Sequence, residues 1–271
     1  QDGVLGLVAG VTGSGKSELL VTLIVGLGLN YDPSILNFVL VDFKGGGAFE
    51  PFRRLPHCVE IVTNLNRAGV RRMFTAIRAE IDLNQTSTTE TGTKDIVEYR
   101  RAGHHLSHAP LPHLFVIIDE YAEMISESPE FKAELDSITR VGRSAGINLL
   151  LAAQRPVGVT DQMRANIKYR ICLRVEEIET SREMLRRSDA AHLPNGMPGR
   201  GYLQVGNDNI ELMQTAYTGE AYAHALPREG ERTARFYDVV VELANELTSE
   251  SQEEWPYTPW PPVLPRALTL G

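Results

Sequence analysis

The chain has 271 residues, of which 42% are hydrophobic, 23% charged and 7% aromatic, a composition that supplies a sizeable core and excludes disordered, collagen-like and coiled-coil classes. Its 27 Lys plus Arg against 35 Asp plus Glu give a net charge of −8, the wrong sign for a protein that coats nucleic acid non-specifically, which leaves only a local basic patch open. Cys58 and Cys172 are its two cysteines; they fit no zinc spacing and allow at most one bridge, which a chain of this size does not need, so a reducing compartment is expected. No apolar run reaches the roughly 18 residues of a membrane span, and no basic-then-apolar leader opens the chain. Beginning at Gln1 and already apolar by Val4, it reads as a piece of something longer, with any membrane anchors or sister domains elsewhere.

The first element is the apolar run Val4–Ala9, which predicts a strand buried on both faces. It leads into Gly10-Val11-Thr12-Gly13-Ser14-Gly15-Lys16-Ser17, the P-loop spacing in the setting it requires, between a strand and a helix. Glycines let such a backbone curl until several N–H groups point inward at phosphate oxygens, and the helix N-terminus adds partial positive charge. Lys16 is placed to reach the β and γ phosphates of a nucleotide, and the Ser17 hydroxyl to ligate Mg²⁺. Glu18 sits in the first helical turn, where negative charge is favoured. A plain strand-to-helix turn needs neither the lysine nor the hydroxyl.

Lys16–Leu27 is apolar almost all round and predicts a buried helix. Ile35–Val41 predicts a second strand, with Asp42 and Lys44 at its exit, where polar residues serve a loop as readily as a site. Val70, Phe74, Ile77 and Ile81 mark one face of a long helix that carries Arg71, Arg72, Arg78 and Glu80 elsewhere. Asn84–Lys94, rich in Thr, Ser and Gln without periodicity, and His104–His113, with Pro110 and Pro112, read as surface loops.

Leu114–Ile118 predicts a third strand and delivers Asp119-Glu120 to its C-terminal end, the edge at which ligands of open α/β sheets gather. Asp119 is placed to hold Mg²⁺ through its water shell, and Glu120 to orient and deprotonate an attacking water; an acidic pair capping a helix is the plainer alternative. Phe131, Leu135 and Ile138 predict a helix ending near Gly146, with the cations Arg140 and Arg143 close to its end. Ile147–Ala153 is a fourth strand, and it puts Gln154 at the same edge as Asp119, where an amide can donate to the γ-phosphate or the water. Tyr169–Val175 is a fifth strand, and Glu176-Glu177-Ile178-Glu179 reads as a solvated helix start.

Strands alternating with helices predict the α/β class, with a mainly parallel central sheet flanked by helices on both sides. After Arg200, the segments Tyr202–Val205 and Ile210–Tyr217 flank Gly206-Asn207-Asp208-Asn209, which predicts an antiparallel hairpin on the sheet edge. Arg235–Leu247 is a last helix, and Trp255-Pro256-Tyr257-Thr258-Pro259-Trp260-Pro261-Pro262 is extended. The chain thus divides into a domain over 1–247 and a proline- and aromatic-rich linker over 248–271 toward a following domain. The seven histidines show no metal spacing.

The phosphate loop, Asp42-Phe43-Lys44-Gly45-Gly46, Asp119-Glu120-Tyr121-Ala122, Gly142-Arg143-Ser144-Ala145-Gly146-Ile147 and Ala153-Gln154-Arg155-Pro156 stand in the order seen in FtsK/SpoIIIE-type ATPases, which the chain resembles over about residues 4–217. Within that family it looks most like the ATPase domains of type VII secretion motors, the EccC/EssC group. Leu55-Pro56-His57, Thr63-Asn64-Leu65, Leu193-Pro194-Asn195 and Gly199-Arg200-Gly201-Tyr202-Leu203 carry that likeness. The first of several tandem domains matches best, and Trp260–Thr269 resembles the linker into the next one. Gln154-Arg155-Pro156 departs from this pattern and looks more like the DNA translocases.

The resemblance implies a RecA-like P-loop NTPase core that uses ATP with Mg²⁺. It also implies a hexameric ring or stacked assembly with sister ATPase domains, contact with membrane components of a secretion complex, and export of small helical proteins bearing a C-terminal signal. The domain would be cytoplasmic, in a bacterial protein associated with the inner membrane. In DNA translocases of the family an arginine just before the Ala-Gly-Ile strand entry reaches the neighbour's nucleotide; Arg143 occupies that place, and Arg140, one turn earlier, is the alternative. Two other readings stay open. One is a double-stranded DNA translocase or conjugation coupling ATPase, although no sequence-reading winged helix is found. The other is a regulatory nucleotide-binding module with little turnover of its own.

Overall fold

The computed structural model describes residues 5–63, 67–207, 209–222 and 233–250. Eight strands form one sheet among the described residues: β1 (Leu5–Ala9), β2 (Leu36–Asp42), β3 (Cys58–Thr63), β4 (His113–Asp119), β5 (Ile147–Ala153), β6 (Ile167–Leu173), β7 (Arg200–Val205) and β8 (Ile210–Gln214), in the order β3-β2-β4-β5-β1-β6-β7-β8. From β3 to β6 every neighbouring pair is parallel. Strands β7 and β8 then join antiparallel, as the hairpin signal around Gly206 predicts.

The helices are α1 (Lys16–Asn30), α2 (Arg67–Glu90), α3 (Ile96–Arg101), α4 (Tyr121–Glu127), α5 (Phe131–Val141), α6 (Asp161–Asn166), α7 (Ile178–Leu185) and α8 (Phe236–Glu250). Alternate residues of the central strands feed two cores, which explains why their sequences are continuously apolar. Val39, Val116, Ile118, Leu149 and Leu151 pack with Phe74 and Ile77 of α2 and Phe131 and Leu135 of α5. Phe38, Leu40, Ile117 and Leu150 face the other way, onto Leu20 and Ile24 of α1 and Val240 and Val241 of α8.

Three readings of the sequence change. Asn84–Glu90 is not a surface loop, because α2 continues through it to Glu90. The hydroxyls of Thr86 and Thr88 donate to the carbonyls of Asp82 and Asn84, which satisfies each polar group within its own helix. Asn84 itself is fully buried and donates from Nδ2 to the Ala145 carbonyl at 2.9 Å. Strand β3 is an addition; Glu60 breaks its apolar run, and on this edge strand the carboxylate is paired with Arg72 at 3.1 Å. Residues 248–250 complete α8 rather than opening a linker, while 251–271 and Asn64-Leu65 lie outside the described residues.

Five strand spacings, about 24 Å, separate β3 from β6, so Cys58 and Cys172 cannot bridge; both are free and buried, and burial pushes each thiol up to about 12. Among the described residues no helix is long and apolar enough to cross a membrane.

Candidate active site

The parallel strands end on one edge, and β1, β2, β4 and β5 each release a polar segment there. Register places Asp42 beside Asp119, and Asp119 beside Ala152, two residues before Gln154. A cleft of about 420 Å³ opens between these segments, lined by Val11, Thr12, Gly13, Lys16, Ser17, Lys44, Asp119, Glu120 and Gln154 among others.

The phosphate loop is stitched to its neighbours at both ends. Gly10 N donates to the Ala153 carbonyl at 3.2 Å and Val11 N to the Arg174 carbonyl at 3.1 Å, while Ser14 N turns back to the Val11 carbonyl at 3.0 Å. Gly13 and Gly15 hold φ of 77° and 91°, which L side chains rarely adopt. Behind the loop, Gly199 N donates to the Ser14 carbonyl at 2.8 Å, and a Cβ on Gly15 would collide with the Gly199 backbone. Among the described residues the amides of Thr12, Gly13, Gly15 and Lys16 have no protein acceptor, and the buried Ser14 Oγ has no partner. These unpaired donors, with the N-terminus of α1, form a cradle fitted to phosphate.

Lys16 is buried and its ammonium pairs with both carboxylates opposite, Asp119 Oδ1 and Glu120 Oε1, the latter at 2.9 Å. Burial pushes the Asp119 carboxyl up against the pull of Lys16. Burial acts the same way on Glu120, but Lys16 and then Lys44 outweigh it and hold that carboxyl below the usual range. Glu120 sits at φ 58°, ψ 42° as the residue just before α4, a sparsely populated conformation for a residue with a Cβ and one found at functional sites. The Asp119 carboxylate accepts from the Glu120 amide at 3.0 Å, which fixes the turn.

Ser17 is exposed at the cleft with its hydroxyl available. One hydroxyl and one carboxylate, Ser17 and Asp119, are a donor set suited to Mg²⁺, which keeps several waters and takes further oxygens from substrate phosphates. Among the described residues no group of three His, Cys, Asp or Glu side chains could hold a metal by itself.

Gln154 is half-buried on the cleft wall. Arg155 is turned aside and pairs with Glu177. Gly10, Ser14 and Glu18 do not line the cleft; they build the back of the loop and the first turn of α1, where Glu18 Oε2 is buried without a partner. Arg140 and Arg143 lie at the opposite edge of the sheet, before β5 rather than after it, about 20 Å from their own Gln154. There they line a second cleft of about 630 Å³ with Lys94, Glu98, Arg101 and Ser144.

The exit of β2 carries two further features. The Asp42 carboxylate accepts from Gly45 N at 2.9 Å and Gly47 N at 2.8 Å, so it fills the loop role that the sequence left open while also lining the cleft; the run Gly45-Gly46-Gly47 after an aspartate carries that signal. Lys44, carried by that loop, pairs with Glu120 Oε1 at 3.4 Å and Glu123 Oε1 at 3.0 Å, a meeting of two loops that spacing alone does not reveal.

Comparison with known proteins extends these findings. Over 220 residues, 80% of this chain, it is 44% identical to the type VII secretion system protein EssC of Staphylococcus aureus, of which it spans about 15%. The cytoplasmic domain of the Thermomonospora curvata type VII secretion ATPase EccC superposes with a TM-score of 0.82 at 35% identity, over 97% of this chain and 30% of that one. The conjugation coupling protein TcpA of pCW3, in its monomer form with ATPγS, gives 0.68 at 27% identity, over 80% of this chain and 61% of that one. The FtsK/SpoIIIE family profile matches residues 5–157, more than half of the chain and the whole stretch from β1 through the phosphate loop and the acidic pair to Gln154. With its loop, carboxylates and amide gathered at one sheet edge, the chain belongs to the FtsK/SpoIIIE family.

Proposed function

We propose that this chain is an ATP-binding and ATP-hydrolysing motor domain of a larger protein that drives protein export through a type VII, ESX-like secretion complex. The observation that carries the reading is the buried Lys16 bridging Asp119 and Glu120 beneath a row of unpaired loop amides. That arrangement supplies hydrolysis as well as binding: a phosphate cradle, a metal-holding carboxylate and a separate base. The 44% identity to EssC supports the secretion role.

In this reading the loop amides and Lys16 take the β and γ phosphates, and Lys16 leaves the two carboxylates to do so. Ser17 and Asp119 hold Mg²⁺, which when bound supplies charge neutralisation on the phosphates. Glu120 then accepts the proton of the attacking water, and Gln154 donates to the terminal phosphate. Arg143, or Arg140 in its place, stabilises developing charge in a neighbouring subunit, since neither reaches the cleft of its own chain. The motor domain runs through the end of α8 at Glu250, and the remainder leads toward a sister domain. Its partners are those sister ATPase domains in a hexameric assembly, the membrane components of the complex, and secreted proteins with a C-terminal signal. It works on the cytoplasmic side of a bacterial inner membrane.

A second reading, a conjugation coupling or DNA-translocating ATPase, draws on the likeness to TcpA and on Gln154-Arg155-Pro156. A third, a regulatory module, draws on the pairing of Lys16 with both carboxylates, which phosphate must first undo. Steady-state phosphate release with Mg-ATP separates the three, measured across protein concentrations, with and without double-stranded DNA, against Glu120→Gln as the blank. The motor reading expects specific activity that rises with concentration and ignores DNA. Strong stimulation by DNA favours the second reading, and a rate equal to the blank throughout favours the third.

A further inference from the structure

Lys16 brings one positive charge against the two carboxylates of Asp119 and Glu120, so the resting cleft calls for a second cation, and Lys44 supplies it. Both lysines contact the same oxygen, Glu120 Oε1: Lys16 at 2.9 Å and Lys44 at 3.4 Å. Lys44 has a second acidic partner, Glu123, one turn further along α4 at 3.0 Å. Its base is fixed, because the loop that carries it is tied by Gly45 N and Gly47 N to the buried Asp42. Its head is held only by these two ion pairs, and the side chain is 41% exposed on a flexible four-carbon stem. A fixed base and an exposed head held by two carboxylates beside the wall opposite the phosphate loop are a geometry that lets a residue exchange one anion for another.

Arriving phosphates claim Lys16, and Lys44 is then the cation left beside Glu120. The terminal phosphate brings a second strong anion to this end of the cleft, whereas a nucleoside diphosphate brings none. We propose that Lys44 is a specificity-determining lysine that reads the terminal phosphate of a nucleoside triphosphate: it holds Glu120 in the resting cleft, moves to the phosphate when a triphosphate binds, and so frees the Glu120 carboxylate only when there is something to hydrolyse. Glu123 is the station that keeps the lysine near the cleft between the two positions. This rests on the reading of the cleft as an ATP site and adds to it the means of telling ATP from ADP.

The test is equilibrium binding rather than turnover. Isothermal titration calorimetry with Mg²⁺ gives dissociation constants for ATPγS and for ADP with the unaltered chain, Lys44→Ala, Lys44→Gln and Lys44→Arg, each checked by its thermal melt. The expected result is that Lys44→Ala and Lys44→Gln weaken ATPγS by about tenfold, the scale of one charge-assisted contact, while ADP changes by less than about twofold. Lys44→Arg keeps most of the preference, because a cation remains within reach. Equal weakening of both nucleotides, or no change in either, overturns the proposal while leaving the ATP site standing. An unaltered chain that binds neither nucleotide removes the ATP site and this inference together.

Discussion

In the proposed function Lys16 carries two tasks that conflict. In the fold its ammonium pairs with the buried carboxylates of Asp119 and Glu120, whereas the proposed nucleotide binding requires it elsewhere. Lys16→Met is therefore expected to lower the stability of the nucleotide-free protein as well as abolish binding. The loss lies at the lower end of the roughly 3–5 kcal/mol seen when one partner of a buried pair is removed, because Lys44 still covers Glu120. Urea denaturation measures it, and adding Asp119→Asn and Glu120→Gln should restore most of it if charge rather than packing is the cause. The phosphate loop, Asp119, Glu120 and Gln154 were legible because each comes directly after an apolar strand, and parallel strands all release their exit segments at one edge of the sheet. The partnership of Lys44 with Glu120 and Glu123 was not, since it depends on the left-handed turn at Glu120 and on a glycine loop folded around Asp42.

Among the elements, α2 departs furthest from its sequence signal. Periodicity stops at Ile81, yet the helix runs on to Glu90 because its threonines bond to their own backbone and Asn84 reaches the turn at Ala145. Glu80, on the same helix, is buried with Oε2 unpartnered; burial, opposed by the Asn84 amide, pushes its carboxyl up to about 7 from 4.5. The folded state therefore holds a proton that the unfolded chain releases first. On this residue's account stability is unaffected below about pH 4.5, falls as pH rises toward 7 and stays reduced above it, by up to about 3 kcal/mol. Glu80→Gln should flatten that slope, leaving the melting temperature little changed at pH 4.5 and higher at pH 8. The turn before β5 is as constrained: Gly146 holds φ 73° and a Cβ there would overlap the Ile96 side chain. Gly146→Ala is expected to cost about 2–3 kcal/mol in a denaturant titration, through backbone strain and overpacking combined. The strand pattern was legible in the sequence because both sheet faces are covered; β3 was not, because an edge strand tolerates a paired glutamate.

For the whole molecule, the sheet divides the charges between its two edges. The cleft with Lys16 and Glu120 opens at one, and Arg140 and Arg143 stand at the other, so the proposed in-trans arginine would need two copies in contact. Arg143→Ala mixed with Lys16→Ala should recover phosphate release above either variant alone, because one supplies an intact cleft and the other an intact arginine. Arg140→Ala by itself should keep most of the activity of the unaltered chain. That separation was legible in the sequence, because Arg143 precedes β5 and Gln154 follows it. The bond from Gly199 N to the Ser14 carbonyl has a practical meaning as well. Gly199 is the residue just before β7, and β7 runs straight out to the turn at Gly206 and Asn207. The antiparallel edge of the sheet, β7 paired to β6 and β8, is thus tied at its start to the phosphate loop. A fluorophore or spin label at Asn207, far from the cleft and harmless to it, would act as the needle of a gauge whose zero is set by that loop.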